Sequence, residues 1–186
     1  HGNERDTAQL SSADNDVDSL YAEIVRFLGK LSQRVLVARQ PQQLNDFVGI
    51  ANYLENIGDV IEKDLLPIAA KIRRLNIEVT PETEAKLRAL EKVVCEAFEK
   101  TIQAVEGSDT DLAMDVLESK STVISLAEEA SAQLVLRLVA EEARRLETFQ
   151  VETDIIEIYL RLNTLSRRIA RLSIHAKAAG SEEEAA

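Results

Sequence analysis

The chain contains few of the residues that interrupt helices or form disulfides. Its 186 residues include six glycines, three prolines, four phenylalanines, three tyrosines and no tryptophan. The single cysteine, Cys95, has no partner for an internal disulfide, which excludes a small disulfide-stapled fold. No apolar run approaches the roughly 20 residues of a membrane-spanning helix, so we expect no direct membrane insertion. There is no signal peptide, and the opening His1-Gly2 looks like a tag remnant, so we expect a soluble fragment of a larger protein.

Positive charge is also scarce. The chain carries 33 acidic and 22 basic residues, a formal net charge of −11. Because binding of nucleic-acid phosphates needs clustered Lys and Arg, this balance excludes a nucleic-acid surface, and it argues equally against a polybasic membrane anchor. Glycine-rich phosphate loops, zinc-protease and hydrolase motifs and the Glu-x-x-His pairs of di-iron bundles are all absent from the sequence. We therefore expect no enzymatic activity.

The residues that are abundant favour an all-α fold. Ala, Leu, Glu, Arg and Lys predominate, and these residues lose little rotamer freedom in a helix. Apolar residues recur at three- and four-residue spacing from Val17 onward, whereas residues 1–16 read as a flexible leader. The pattern predicts five long helices in a bundle with short connections, followed by an acidic tail over residues 179–186.

Prolines and capping residues predict where these helices begin and end. The first helix ends before Pro41 and the second begins at about Gln42, because the residue before a proline resists the α conformation. Pro67 predicts a kink or break in the second helix. Thr80-Pro81 predicts the start of the third helix, which Gly107 ends. The fourth helix runs from Asp109 to about Val139, and a turn within residues 140–148 leads into the fifth.

A shift of 108 residues superimposes the second helix on the last one. Ile50 then falls on Ile158, Leu54 on Leu162 and Ile61 on Ile169, as the aligned residues of the sequence show. The pattern predicts a duplication, with a first half over residues 17–78 and a second half over 79–178, although two amphipathic helices can also share such spacing by coincidence. The first half has no counterpart of the helix that begins at Thr80.

The most suggestive chemical pattern lies in the second helix. Glu55 and Asp59 are four residues apart, so both carboxylates project from one helical face and repel each other unless a cation lies between them. Gly58, between them, costs roughly 1 kcal/mol relative to alanine within a helix. The pattern predicts a metal site, or alternatively a solvated acidic face where the glycine admits a neighbouring helix.

A second acidic pair, Asp14 and Asp18, occurs at the start of the first helix. Oxygen ligands of this kind suit a hard divalent cation or ferric iron, whereas acids in a first helical turn also stabilise the helix dipole without any metal. Zinc is disfavoured because Cys95 and His175 are isolated in the sequence.

The segment Leu54-Glu-Asn-Ile-Gly-Asp-Val-Ile resembles the signature of PhoU, the phosphate-uptake regulator family, in which an acid-x-x-x-Asp motif follows a leucine. The wider stretch over residues 45–62 is similar to the PhoU-like domain at the cytosolic C-terminus of bacterial sodium/phosphate cotransporters. The resemblance implies two PhoU-type helical-bundle repeats side by side, the first apparently lacking its first helix. It also implies metal ions on the acidic faces, held in this chain by Glu55 and Asp59 and more weakly by Asp14 and Asp18.

The second repeat departs from that signature. Asn163 and Arg167 occupy its two acidic positions, and an arginine in place of the aspartate should abolish a metal site there. The absent first helix of the first repeat should leave an apolar groove that takes up a partner helix, either from the transporter's own preceding segment or from a second copy in a homodimer.

The resemblance therefore leads us to expect a non-catalytic regulatory domain of phosphate transport or signalling. We expect it to be the soluble part of a sodium/phosphate cotransporter at the cytoplasmic side of the cell membrane. Two alternatives remain open at this point: a helical adaptor or dimerisation bundle with no phosphate role, and a metal-dependent helical enzyme.

Overall fold

A computed structural model describes residues 4–36, 39–138 and 144–181. Every regular element in these ranges is helical, which confirms the all-α prediction. The elements are α1 (Glu4–Ser32), α2 (Gln40–Asp59), a π-helical segment (Val60–Leu65), α3 (Leu66–Leu75), α4 (Pro81–Gly107), α5 (Thr110–Leu138) and α6 (Arg145–Ser181). Because α2, the π segment and α3 follow one another directly, the described chain forms five rods, as predicted. No helix among these residues is long and apolar enough to cross a membrane.

Helix α6 is the element against which three of the other long helices pack. It has 37 residues, about 55 Å at 1.5 Å per residue, and packs against α2, α4 and α5. Helices α4, α5 and α6 enclose one apolar cluster, whose buried members are Leu87, Leu90, Val94, Val123, Ala127, Ala130, Leu134 and Ile156. A second cluster joins α2 to α6 through Ile50, Ile57, Val60, Ile158, Leu165 and Ile169. Helix α1 packs mainly against α2 and therefore lies at the edge of the bundle.

Helices α2 and α6 run antiparallel. Gln43 donates a hydrogen bond to the Ala176 carbonyl at 3.1 Å near one end of the contact, and Arg161 donates to Asp64 at 2.8 Å near the other. The two helices approach closely at Gly49, where an added Cβ would lie 2.7 Å from Leu172 Cδ1. Two pairs that the 108-residue shift matches, Ile50 with Ile158 and Ile57 with Leu165, lie in the apolar cluster between these helices. The duplication itself stays a prediction.

Capping explains the boundaries of the second-half helices. The Thr80 hydroxyl accepts a hydrogen bond from the Thr83 amide at 3.4 Å, as the Thr80-Pro81 prediction requires. Helix α4 includes Gly107, but the left-handed residue that ends it is Ser108. Asp109 then caps α5 by accepting from the amides of Asp111 and Leu112 at 2.9 and 3.1 Å.

Two local predictions need correction. Residues 4–16 are helical rather than a flexible leader, because Glu, Arg, Ala and Gln favour a helix even where no apolar stripe is present. Pro67 does not break its helix: the preceding turn widens into the π segment, in which the Leu66 amide bonds to the Ile61 carbonyl. Pro67 has no backbone N–H to donate, and it lies where the chain returns from π to α geometry. The predicted acidic tail beyond Ser181 and residues 140–143 of the predicted turn lie outside the described residues, and α6 begins at Arg145, before the end of that predicted turn.

Candidate functional site

Glu55 and Asp59 lie in the last two turns of α2, directly before the π segment. Glu55 is half-buried, accepts a hydrogen bond from Asn56 Nδ2 at 3.3 Å, and lines a cleft between α1 and α2. Asp59 forms an ion pair with Lys63, one turn further along the same helix. Asp59 is therefore already paired with one cation, the Lys63 ammonium, which a metal ion at Asp59 would have to displace. An exposed pair of this kind contributes only about 0–1 kcal/mol, so displacement is not costly.

The α1–α2 hairpin brings the other two predicted ligands to the same end. Tyr21 donates to Asn52 Oδ1 at 2.8 Å and fixes the register of the two antiparallel helices. Counting in opposite directions from this contact places Asp18 level with Glu55, and residue 14 level with Asp59. Asp18 is exposed, and the side chain of Asp14 lies outside the described part of the chain.

Within the described residues, no group of three or more His, Cys, Asp or Glu side chains is arranged to hold a metal ion. Carboxylate oxygens are nevertheless the donors that hard cations prefer, and the four predicted residues share one end of one hairpin. The metal site stays a prediction that this placement is compatible with.

The second half carries a different arrangement at the matching level. Asn163 is buried and donates to the Ser119 hydroxyl at 2.9 Å, and Arg167 Nε donates to the Leu117 carbonyl at 3.2 Å. Burial lowers the pKa of Arg167, and the nearby Arg171 lowers it further. A guanidinium bound to α5 thus occupies the position that the 108-residue shift matches to Asp59, and its positive charge repels a cation.

An apolar cleft of 330 Å³ lies between α1 and α2, where the sequence predicted a groove. Leu20 and Ile24 of α1 line it and remain 59% and 41% exposed, and Phe98 of α4 closes one side. In the second half, the corresponding surface of α5 and α6 is covered by the Leu-rich face of α4. The first half therefore presents an uncovered helix pair.

Asp46 is a buried carboxylate that the sequence analysis did not identify as a site. It is 6% exposed, and its Oδ2 has no hydrogen-bond partner among the described residues. Burial raises the pKa of Asp46, and the charge of His175 on α6 lowers it in part. The sequence could have indicated the burial of Asp46, because this residue lies on the apolar face of α2, four residues before Ile50.

The sequence analysis also missed a buried ionic cluster in the second half. Arg137 Nη1 donates to Glu152 Oε1 at 3.0 Å, and Arg145 Nη1 donates to Glu152 Oε2 at 3.4 Å. Arg137 also donates to the Thr83 hydroxyl at 3.1 Å, and Arg145 to the Leu134 carbonyl at 3.1 Å. Burial raises the pKa of Glu152, and the two guanidinium groups lower it. Arg145 and Glu152 lie two turns apart on α6, and Arg137 of α5 joins them only because the two helices pack together.

Comparison with known proteins supports the fold and part of the sequence resemblance. The model of the PhoU domain family matches residues 1–63, the stretch that contains Glu55 and Asp59. The whole fold is similar to the crystal structure of PhoU from Pseudomonas aeruginosa, with a TM-score of 0.84 and 18% sequence identity over 95% of this chain and 83% of that chain. A search of curated proteins finds no match. The structural likeness confirms the PhoU-type helical bundle as the fold of this chain.

Proposed function

We propose that this chain is a non-catalytic, PhoU-like regulatory domain that modulates phosphate transport or signalling. The observation that carries the proposal is the match of the PhoU domain model to residues 1–63, because it covers the acid-x-x-x-Asp motif itself. The PhoU-type fold of the remaining chain is consistent with it. We further propose that the domain is the soluble part of a sodium/phosphate cotransporter, positioned at the cytoplasmic side of the membrane.

The proposed partner is a helix of the transporter's own preceding segment, seated in the apolar cleft between α1 and α2. Helix α4 supports this choice of occupant, because it covers the related surface of α5 and α6 with an apolar stripe. A helix with apolar residues at three- and four-residue spacing would cover Leu20 and Ile24 in the same way. A second copy of this chain is the competing occupant, and light scattering of the purified chain distinguishes the two: a monomer at micromolar concentration supports the transporter segment.

The proposed effector site is the acidic end of the hairpin, where Glu55 and Asp59 would bind a hard divalent or ferric cation with help from Asp18 and Asp14. Elemental analysis of protein purified without chelator or a nickel column tests this. We expect bound metal in the wild type and its loss in Glu55→Ala/Asp59→Ala.

The chain offers a matched control for this experiment. Asp111 and Asp115 of α5 are also exposed, lie four residues apart and include a lysine ion pair, because Asp115 bonds Lys100 at 2.6 Å. Asp111→Ala/Asp115→Ala should retain the metal. Equal metal content in all three proteins would refute the site, and absence of metal from the wild type would leave the domain acting through its helical surfaces alone.

Regulation itself is tested by transport. Sodium-dependent uptake of radiolabelled phosphate is measured in cells that express the full transporter polypeptide, either intact or with this domain deleted. We expect deletion to change the uptake rate at equal membrane expression, and Leu20→Glu/Ile24→Glu to reproduce that change by blocking the cleft. Unchanged uptake in both cases would contradict the regulatory role.

A further inference from the structure

A second cleft, of 430 Å³, lies on the surface between α2 and α6. Its lining consists of Asn56 of α2 and of Leu160, Arg161, Thr164, Leu165 and Arg168 of α6. Two of these six described lining residues are arginines, and none of them is an Asp or Glu. Because the chain as a whole has 33 acidic and only 22 basic residues, a cleft lined by arginines without a carboxylate reverses the overall charge balance.

The lining belongs to a longer basic stretch of α6. Residues 158–180 contain four arginines and one lysine but no Asp or Glu. Arg161, Arg168 and Arg171 are exposed on this stretch. Burial lowers the pKa of Arg167, and the charge of Arg171 lowers it further, so the guanidinium groups act on one another. Like charges at this helical spacing repel, and an anion on this face of α6 would relieve the repulsion.

Arg168 is the guanidinium of the cleft that is most available to a ligand. Its Cζ lies 5.5 Å from the centroid of the Tyr53 ring, and this cation–π contact restrains the side chain against α2. Arg168 forms no ion pair with any described residue, and stacking on an aromatic ring uses none of the five N–H donors of a guanidinium. Because the side chain is already restrained, it loses less conformational entropy when it binds an anion.

Arg161 is the second cation of the lining. It lies two turns before Arg168 on α6, a rise of about 10.5 Å along the helix axis. Its Nη1 donates to Asp64 at 2.8 Å, which balances the charge of Arg161 but occupies one N–H donor of five. Arg161 therefore offers hydrogen bonds to a ligand, while Arg168 offers hydrogen bonds and an unbalanced charge.

The two neutral polar residues of the lining are already hydrogen-bonded. Thr164 Oγ1 donates to a carbonyl one turn earlier in α6 at 2.9 Å, and Asn56 Nδ2 donates to a carbonyl one turn earlier in α2 at 2.6 Å. The guanidinium groups are therefore the donors that remain for an anion. Two carboxylates beside the lining oppose it, because Asn56 also donates to Glu55 Oε2 at 3.3 Å and Asp64 is bonded to Arg161.

We propose that this cleft binds inorganic phosphate or a phosphate monoester, held by the N–H donors of Arg168 and Arg161. Such a group has at least three acceptor oxygens and up to two negative charges, so it can bond two guanidinium groups at once, whereas the two oxygens of a carboxylate match a single guanidinium fork. Free phosphate and the headgroup of phosphatidic acid share this chemistry. The inference does not depend on the proposed regulatory function.

Isothermal titration of the full chain with inorganic phosphate in chloride buffer tests the proposal. We expect Arg168→Gln to weaken binding about tenfold, as the loss of a charge-assisted hydrogen bond does. Asp64→Asn should strengthen binding about threefold, because the charge of Arg161 is then no longer balanced. The controls carry the same changes of net charge elsewhere: Arg26→Gln removes an exposed arginine of α1, and Glu129→Gln removes an exposed acid paired with Lys86. Neither control should alter binding.

The opposite signs of the two site substitutions keep the experiment decisive. A misfolded Arg168→Gln protein would also bind weakly, but a protein that gains affinity in Asp64→Asn must be folded. Arg168→Lys keeps the charge and loses the planar fork, so its affinity should lie between those of the wild type and Arg168→Gln.

Cosedimentation with vesicles distinguishes the two sources of the phosphate group. Binding of the wild type, but not of Arg168→Gln, to vesicles that contain phosphatidic acid and not to phosphatidylcholine alone identifies a lipid headgroup. Binding of inorganic phosphate without cosedimentation identifies the free anion. Absence of binding in both assays, tighter binding of acetate than of phosphate, or an equal loss in Arg26→Gln and Arg168→Gln would overturn the proposal.

Discussion

Replacement of Glu152 by glutamine tests the energetics of the buried ionic cluster. The change preserves the shape of the side chain but removes its charge, so two buried guanidinium groups lose their shared counter-charge at 3.0 and 3.4 Å. Breaking a buried ion pair by neutralising one partner typically costs 3–5 kcal/mol. Because a domain of this kind is stable by about 5–15 kcal/mol, Glu152→Gln should remove a large share of the free energy of unfolding.

Urea unfolding followed by helical circular dichroism measures this loss. Glu157→Gln, an exposed acid on the same helix, is the matched control and should change the free energy of unfolding by no more than about 0.5 kcal/mol. A further variant, Arg137→Met/Arg145→Met/Glu152→Leu, removes all three charges and should recover most of the stability, because no uncompensated charge remains buried. A loss below about 1 kcal/mol in Glu152→Gln, or a triple variant less stable than the single one, would refute the reasoning.

Two further predictions concern glycine packing and pH. Gly29→Ala, with nothing within 4 Å of the new Cβ, should stabilise the protein by about 0.5–1 kcal/mol in urea unfolding. Gly49→Ala should stabilise it less, because its new Cβ would lie 2.7 Å from Leu172 Cδ1 and the leucine side chain must shift. Equal effects at both positions would contradict the close approach of α2 and α6. Because burial raises the pKa of Asp46, the native protein binds the Asp46 proton more tightly than the unfolded chain does. The contribution of Asp46 to the free energy of unfolding therefore falls as pH rises from the ordinary aspartate pKa through the raised native value. Asp46→Asn should flatten that fall in unfolding measurements between about pH 3 and 7, and an unchanged pH profile would exclude the burial penalty.

Sequence reasoning succeeded where the determining interactions are local. The Thr80 cap and the division into five rods follow from hydrogen bonds and side-chain preferences within a few residues. The prediction for residues 4–16 failed because it used apolar spacing as the only sign of a helix, while intrinsic propensity was enough. Pro67 was correctly read as a disturbance, but a π segment accommodates it with a wider turn instead of a break.

The sequence by itself determined which side chains could act as cation ligands in α2 and that the positions matched to them by the 108-residue shift hold Asn163 and Arg167. Only the tertiary structure decided which of these groups meet. The register that places Asp18 level with Glu55 and the burial of two arginines around Glu152 depend on how whole helices pack, whereas the pairing of Asp59 with Lys63 is a local contact four residues along one helix. The physical reason is range: a helix and its caps are fixed within about one turn, whereas charge balance and burial at a site are set by helices that are distant in sequence.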